Sequence, residues 1–550
     1  MGASSSTANP SPEAHEQREQ ETLASATLAL PLLRAAFTRT SSSSAGAGAL
    51  PDALAPPRGA SFLRPPGSPP PPPHFHGLLA GLGPAVASLF SAGGAAALEG
   101  DAGWVPFLRG FNRCCARVSA SRSLALLHRV YANACAAAGA PCGVQFQPGD
   151  EGGDEEGKVV GELAPEEIAA FLWMCWVMAW SGSAPRDSGD GGNKSEPVVV
   201  LLPDVTHLVL SALVSAGAVA DDDGIWGWEI SRGGKGLKVQ EFTSWVISTA
   251  SGIGNCLSRY VQGRFRSLVA DPTEQESSVS TVDTAFDTSD VFLLTRGRAW
   301  AIALSLRNKL SEKFLSASVI GMDTEDLLYR SSVHGKGLSR FWSGVEGYKG
   351  PMLILLSASS KGGVENVDSD RRWVIGVLTE EGFESKDMFY GSSGFLCAAH
   401  PIFRMLPPSG KEKNFVYSHL HPQIRVYEAN PKPVGLAFGG TVGNERIFLD
   451  EDFSKVVARH HAVDKTYQHG SLIPNQGYLP VEASVLEVEV WGLGGEATRR
   501  QQDVYKKREN IFSEQRRKVD LKTFGNWEDS PEKMMMDMMA DPNRVRREDR

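Results

Sequence analysis

The residues in this chain that could do chemistry fall into small groups, and each group has to satisfy the spacing its chemistry demands. Gly391-Ser392-Ser393-Gly394 sets serines between glycines, but a nucleophile elbow of the form G-x-S-x-G needs its second glycine one place later. The tetrad instead predicts a loop leading into a strand over Phe395 to Ala398. Cys397 and His400 lie three apart, which in a strand puts them on opposite faces and argues against a thiolate–imidazole pair. His460, His461 and His469 are metal-capable side chains, yet no carboxylate or cysteine stands among them at a familiar ligand spacing. Gly252-x-Gly254 lacks a third glycine, and Gly191-Gly192-Asn193-Lys194-Ser195 lacks the Gly-Lys-Ser order of a phosphate loop. These spacings predict no catalytic residue, no metal and no cofactor.

One modification signal is present. The opening MGASSS fits N-myristoylation, with Gly2 as acceptor after removal of Met1 and Ser6 at the favoured position. Glu13, Glu16, Glu19 and Glu21 place acid where a transit peptide avoids it. A single acyl chain binds a membrane surface with a constant of only about 10⁴ M⁻¹, and no polybasic stretch follows to reinforce it. Stable attachment would therefore need a protein partner as well.

Two stretches have the makings of partner contacts. Val434 to Phe453 reads as a tight β-hairpin: apolar Leu436 and Phe438, the pair Gly439-Gly440, a turn through Gly443 and Asn444, then Ile447-Phe448-Leu449. The glycines are backbone geometry first. Glu445 with Asp450, Glu451 and Asp452 is the strongest acidic concentration nearby, either a solvated loop or a surface whose charge steers a partner. The second stretch, Arg499 to Lys522, holds nine basic residues against four acidic and contains neither glycine nor proline. Val504, Ile511 and Val519 recur at about heptad spacing, with Tyr505 and Phe512 beside them. So narrow a seam on a charged helix cannot form a core, and it either stays in solvent or lies against a partner. Phe524-Gly525-Asn526-Trp527 should end the helix, and Met534, Met535, Met536, Met538 and Met539 follow as adaptable apolar surface. The basic helix also has the character of a calmodulin target.

These stretches need a scaffold, and 550 residues are enough for two or three domains. A net charge of −9 gives no basic domain for nucleic acid. Seven cysteines without CxxC spacing read as reduced core thiols, not as a disulfide framework or zinc site. No apolar run reaches the roughly 18 to 20 residues that span a bilayer. The longest, Phe171 to Trp180, reads as a buried helix. Residues 1–21 read as a disordered tail, and Thr22 to Phe37 as an amphipathic helix through Leu23, Leu28, Leu30, Leu33 and Phe37. The Ser/Gly/Pro-rich segment 41–73 reads as a linker, and the acidic breaks 149–157 and 181–196 as surface loops. Helical periodicity returns over 75–90, 104–111, 124–131, 165–180, 201–219 and 239–265, predicting one α-helical region over 22–300. Toward the end, Leu486, Val488 and Val490 alternate with Glu487 and Glu489, the signature of a strand with one buried and one wet face.

From about Leu306 to Gly494 the order of segments resembles the TLDc domain: LLYRSSVHGKGLSRFW from Leu327, PMLILLSA from Pro351, WVIGVLT from Trp373, the glycine hairpin, TYQHGSLIPNQGYL from Thr466, and SVLEVEVWGLG from Ser484. The resemblance implies an α+β chain. A degenerate EF-hand-like helical region, without a calcium loop, precedes a TLDc β-sandwich flanked by helices over 306–494, and a helical extension occupies 495–550. Gly2, the helical region, LIPNQGYL and the strand ending Glu-Val-Trp together resemble the mTOR-associated lysosomal subgroup of TLDc proteins. That resemblance implies a non-catalytic protein, cytoplasmic and peripherally attached to lysosome- or vacuole-type membrane. It would bind and regulate the vacuolar-type proton ATPase (V-ATPase), with links to TOR signalling and the oxidative-stress response. The alternatives are an antioxidant enzyme using Cys397 or a histidine, and a general signalling scaffold.

Overall fold

The computed structural model describes residues 12–41, 49–57, 61–63, 70–91, 103–147, 158–183, 199–270, 292–360, 371–420 and 432–525, together with Lys533, Met535 and Met539. The first half is built around the run that is apolar on every side. Pro165 opens its helix, Pro165–Ser183, with Glu166 and Glu167 in the first turn, where acidic side chains complement the unpaired N–H groups. Every residue from Ile168 to Ala179 is buried. A helix apolar all round has to be surrounded. Trp104–Cys115, Ala120–Ala138 and Cys256–Val269 pack in the same core.

The chain begins differently from the sequence-based expectation. Residues 12–21 belong to a helix, Pro12–Ser25, and a second helix follows at Leu30–Ser41, so the expected single helix from Thr22 is broken in the middle. Packing overrides the weak local pattern: Trp104 Nε1 donates to Glu21 Oε1 at 2.9 Å, Asn112 Nδ2 donates to the Gln20 carbonyl at 2.9 Å, and Leu33 and Ala36 are buried. Leu23, expected on the apolar face, is exposed. The segment expected as linker also carries structure in its described parts: a short helix, Ala49–Ala53, and a strand, β1 (Ser61–Leu63). Leu54 and Phe62 enter the core, and Tyr260 Oη donates to the Leu54 carbonyl.

Small sheets trim the helices. β2 (Val144–Gln147), β3 (Lys158–Leu163), β4 (Val199–Leu201) and β5 (Leu237–Lys238) complete the strands of this half, with β1 parallel to β4 and β3 antiparallel to both β2 and β5. The expected helix 201–219 is shorter, Thr206–Ser215, and 239–265 divides into Val239–Thr249 and Cys256–Val269 about a 3₁₀ turn. The acidic breaks at 149–157 and 184–196 lie outside the described residues, and residues 181–183 finish the buried helix.

The second half is one antiparallel sheet of eleven strands. In chain order they are β6 (Leu327–Arg330), β7 (Met352–Ser360), β8 (Arg371–Thr379), β9 (Lys386–Tyr390), β10 (Gly394–His400), β11 (Arg404–Leu406), β12 (Val416–His419), β13 (Gly435–Thr441), β14 (Asn444–Asp450), β15 (Lys455–Ala458) and β16 (Val481–Gly492). Their spatial order is β11-β10-β8-β7-β16-β15-β14-β13-β12-β9, with β6 pairing the far end of β16. The two layers expected of a sandwich are therefore two halves of one curled sheet. Ile354, Ile375 and Leu396 of one half share a core with Leu436, Ile447 and Val456 of the other.

The opposite face of β7, β8, β10 and β16 does not meet water. Leu353, Leu355, Val374, Cys397, Phe403 and Trp491 join the core of the helical half. This coverage corrects the expected wet face of the last strand. Val488 and Val490 are buried as alternation requires, but Glu489 is also completely buried and Leu486 is exposed. A register shift between Val485 and Glu487 breaks the alternation at Leu486. Glu489 lies under the segment that enters the second half, where its carboxylate accepts the Leu293 N–H at 2.9 Å, the Leu294 N–H at 3.3 Å and Trp491 Nε1–H at 3.1 Å.

Candidate functional site

The hairpin forms as expected, displaced by one residue at its tip. Thr441 pairs Asn444, so the turn residues are Val442 and Gly443, and Asn444 already belongs to β14. Gly439 and Gly440 have φ of +69° and +84°. A Cβ at Gly439 would stand 2.8 Å from the Tyr467 ring, and one at Gly440 would stand 2.3 Å from the Asn444 carbonyl. Gly439 is buried and Gly440 half-buried, and at these positive φ values both serve backbone geometry.

Folding separates Glu445 from the other three acids. Glu445 lies near the hairpin tip and Asp450 at the far end of β14, five residues or about 17 Å away. Glu445 is buried: Oε2 pairs with Arg459 at 3.3 Å and Oε1 accepts the Gly443 N–H at 2.5 Å. Asp450 closes the next turn, accepting the Ser454 N–H at 2.8 Å, the Ser454 hydroxyl at 2.6 Å and the Lys455 N–H at 3.1 Å. Of the four acids expected at a contact surface, only Glu451 and Asp452 are exposed.

Beneath the hairpin lies a polar knot that sequence reasoning missed. Arg446 and Asp464 form an ion pair at 2.5 Å with both side chains at 0% exposure. Arg446 also donates to the Gly470 carbonyl, and Asp464 Oδ1 accepts the N–H groups of Thr466 and Tyr467, each at 2.9 Å. Burial pulls the Arg446 guanidinium down from its ordinary range, and Asp464 opposes that. The only signal was an arginine directly before the apolar run Ile447-Phe448-Leu449, a weak mark of a buried charge.

The reactive groups are placed as follows. Ser392 and Ser393 lie in the loop before β10. Cys397 is buried and burial pushes its thiol up to about 12, while a register shift separates Ala398 from His400. The rings of His460 and His469 are 4.8 Å apart, and Tyr478 stacks on His460 at 5.0 Å. Among the described residues, no group of three or more His, Cys, Asp or Glu side chains is arranged to hold a metal ion.

The C-terminal helix spans Gly495–Gly525, 31 residues and about 46 Å long. Its first turns are fastened to the sheet half. Arg499 pairs with Glu325 at 2.7 Å, and buried Gln502 donates to the carbonyls of Gly344 and Glu346 at 2.8 and 3.0 Å. Tyr505 Oη donates to Glu346 Oε1 at 3.2 Å and Lys506 Nζ to the Gly344 carbonyl at 2.9 Å. Val504 follows Gln502 by two residues, roughly 200° around the helix, so the predicted seam faces away from the anchoring side. Val504 is 66% exposed and Ile511 56%, and Phe512 is exposed with Arg508 over its ring at 5.9 Å. Every residue from Asn510 to Lys518 is exposed. The helix extends to Val519, whose side chain, like Gly2, lies outside the described residues. Met535 and Met539 of the methionine cluster are exposed. Among the described residues no helix is long and apolar enough to cross a membrane.

Residues 302–494 match the family model of the TLDc domain. The match starts four residues before the expected boundary, inside the helix Arg296–Ser305, and ends where the C-terminal helix begins. No curated protein matches the chain.

Proposed function

We propose that this TLDc domain protein is a non-catalytic, membrane-associated regulator that binds the vacuolar-type proton ATPase. The observation that carries the reading is the C-terminal helix: fixed at its base to the TLDc domain, it presents Val504, Ile511 and Phe512 to solvent. An anchored helix with an uncovered apolar seam and basic flanks suits a helix-in-groove contact. The TLDc domain supplies a second contact, and Gly2 acylation would hold the chain at a lysosome- or vacuole-type membrane from the cytoplasmic side. Two weak attachments acting together give avidity that neither provides alone. TOR signalling and the oxidative-stress response are the processes this binding would feed. Calmodulin is a competing ligand for the same basic helix.

A thiol-based antioxidant enzyme is the second reading. Against it stands Cys397, whose buried thiol is held protonated far above neutral pH, whereas a reactive cysteine needs a lowered pKa and access. A general signalling scaffold would use the same exposed helix with other partners. The deciding experiment is capture from detergent-solubilised endomembranes with the full chain, Gly2→Ala, and a chain ending at Gly494. Pump subunits that come down with the full chain and are lost on truncation support the proposal. Their absence with every variant removes it.

A further inference from the structure

The helix Cys256–Val269 and the residue before it present Asn255, Ser258, Arg259, Gln262 and Arg266 along one stripe, since residues three, four and seven or eight apart share a helix face. The stripe floors an open cleft of about 360 Å³. Ala179 and Gly182, from the end of the buried helix Pro165–Ser183, form one wall, and Leu315 of the helix Leu310–Ile320 forms the other. At the closed end the helices touch backbone to backbone: a Cβ on Gly182 would stand 3.0 Å from the Arg259 carbonyl. The cleft sits at the seam between the helical half and the TLDc match, and its size is within the range of small-molecule sites.

Its chemistry is cationic and polar. Arg259 forks onto Glu312, with Nη1 donating to Oε2 at 2.7 Å and Nη2 to Oε1. That fork holds the Glu312 carboxyl below its ordinary range. Arg266 is exposed, and its one polar contact among the described residues is a long one, 3.5 Å to Gln262 Oε1, with no carboxylate at ion-pair distance. Two guanidinium groups therefore line the cleft, one of them paired with Glu312, and its other polar groups are a hydroxyl and two amides. An apolar ligand would find little to cover here. A guanidinium pair matches phosphate oxygens in fork geometry, and Arg is the side chain suited to that recognition.

We infer that this cleft binds a compact ligand bearing two or more phosphate groups, one held by Arg266 and one by Arg259 after exchange from Glu312. The inference is independent of the pump. A soluble inositol phosphate and a phosphoinositide headgroup share this chemistry. The test uses the full chain with inositol hexakisphosphate in titration calorimetry, and flotation with phosphatidylcholine vesicles with and without phosphatidylinositol bisphosphate. Arg266→Ala, at an exposed position, should keep its thermal midpoint and weaken binding about tenfold, the loss of one charge-assisted contact. Glu312→Ala should tighten binding, since it frees Arg259 without adding a donor, a gain that a merely structural role for Glu312 would not produce. The triple variant Arg516→Glu, Arg517→Glu, Lys518→Glu controls for the basic C-terminal helix and should bind as the wild type does. Calorimetric binding without flotation assigns a soluble phosphate, and flotation lost in Arg266→Ala assigns the lipid headgroup. Wild-type affinity in Arg266→Ala, loss of binding in the tail variant alone, or no binding in either assay overturns the inference.

Discussion

Arg446 and Asp464 meet at 2.5 Å with neither side chain open to solvent, directly beneath the glycine hairpin. A buried pair adds little over an apolar replacement, but removing one partner strands the other. Asp464→Ala is expected to cost about 3 to 5 kcal/mol, because it leaves the Arg446 charge uncompensated and orphans the Thr466 and Tyr467 N–H groups. Urea unfolding of Arg446→Ala, Asp464→Ala and the double variant measures it. The double should cost clearly less than the two singles together. Strict additivity would mean that the pair is not coupled.

Acid should loosen the helical half through His128. This ring is buried against Phe171 at 5.1 Å, and burial lowers its pKa from 6.5 to about 4. The folded state therefore refuses a proton that the unfolded chain accepts. Stability is unaffected above pH 6.5, falls as pH drops from there toward about 4, and changes no further below it. The full loss is about 3 kcal/mol. His128→Phe should flatten that slope in unfolding measured between pH 7 and pH 4. It should not abolish it, because burial lowers His207 to about 4 as well. An unchanged slope would show that His128 is solvated.

The exposed seam predicts a separation of binding from stability. Ile511→Asp with Phe512→Asp should leave the thermal midpoint within about 1 °C of wild type, since surface positions contribute within about 0.5 kcal/mol. It should also reduce pump capture at least tenfold, the effect of placing charge on an apolar anchor. Gln502→Ala is the complement: it removes two hydrogen bonds at the base of the helix and should weaken capture while leaving the seam intact. Equal capture by all three proteins would exclude the helix as a contact.

Cys397→Ala separates the binding and enzymatic readings. Loss of a small buried side chain should lower stability by about 1 to 2 kcal/mol and leave pump capture unchanged. Peroxide consumption that disappears with Cys397 would favour the thiol enzyme instead.

Local pattern was enough to find the buried helix read at 171–180, the glycine hairpin and the basic C-terminal helix, because an unbroken apolar run, a pair of turn glycines and a charged stretch free of Gly and Pro are each set within the segment itself. It failed where a neighbour decided the outcome. Glu489 reads as a wet-face residue until the segment 292–294 covers it. Glu445 and Asp450 are close in sequence, but a strand carries them to opposite ends of the hairpin. The helix Pro12–Ser25 has little amphipathic pattern of its own and is held by Trp104 and Asn112, more than eighty residues away. The seam was legible in composition, whereas the side on which the helix docks depended on carbonyls at Gly344 and Glu346 that no sequence pattern marks.

The sheet gives Leu353, Leu355, Val374, Phe403 and Trp491 to the core of the helical half. Recognisable ancestry and mechanical independence therefore part company at residue 302. Cutting the chain at the edge of the TLDc match would open an oily wound across β7, β8, β10 and β16 and break the grip of Glu489 on the segment 292–294. The excised fragment should bind apolar dyes and precipitate where the whole chain does not. For the same reason, a strain applied to either half is felt by the other through that common core.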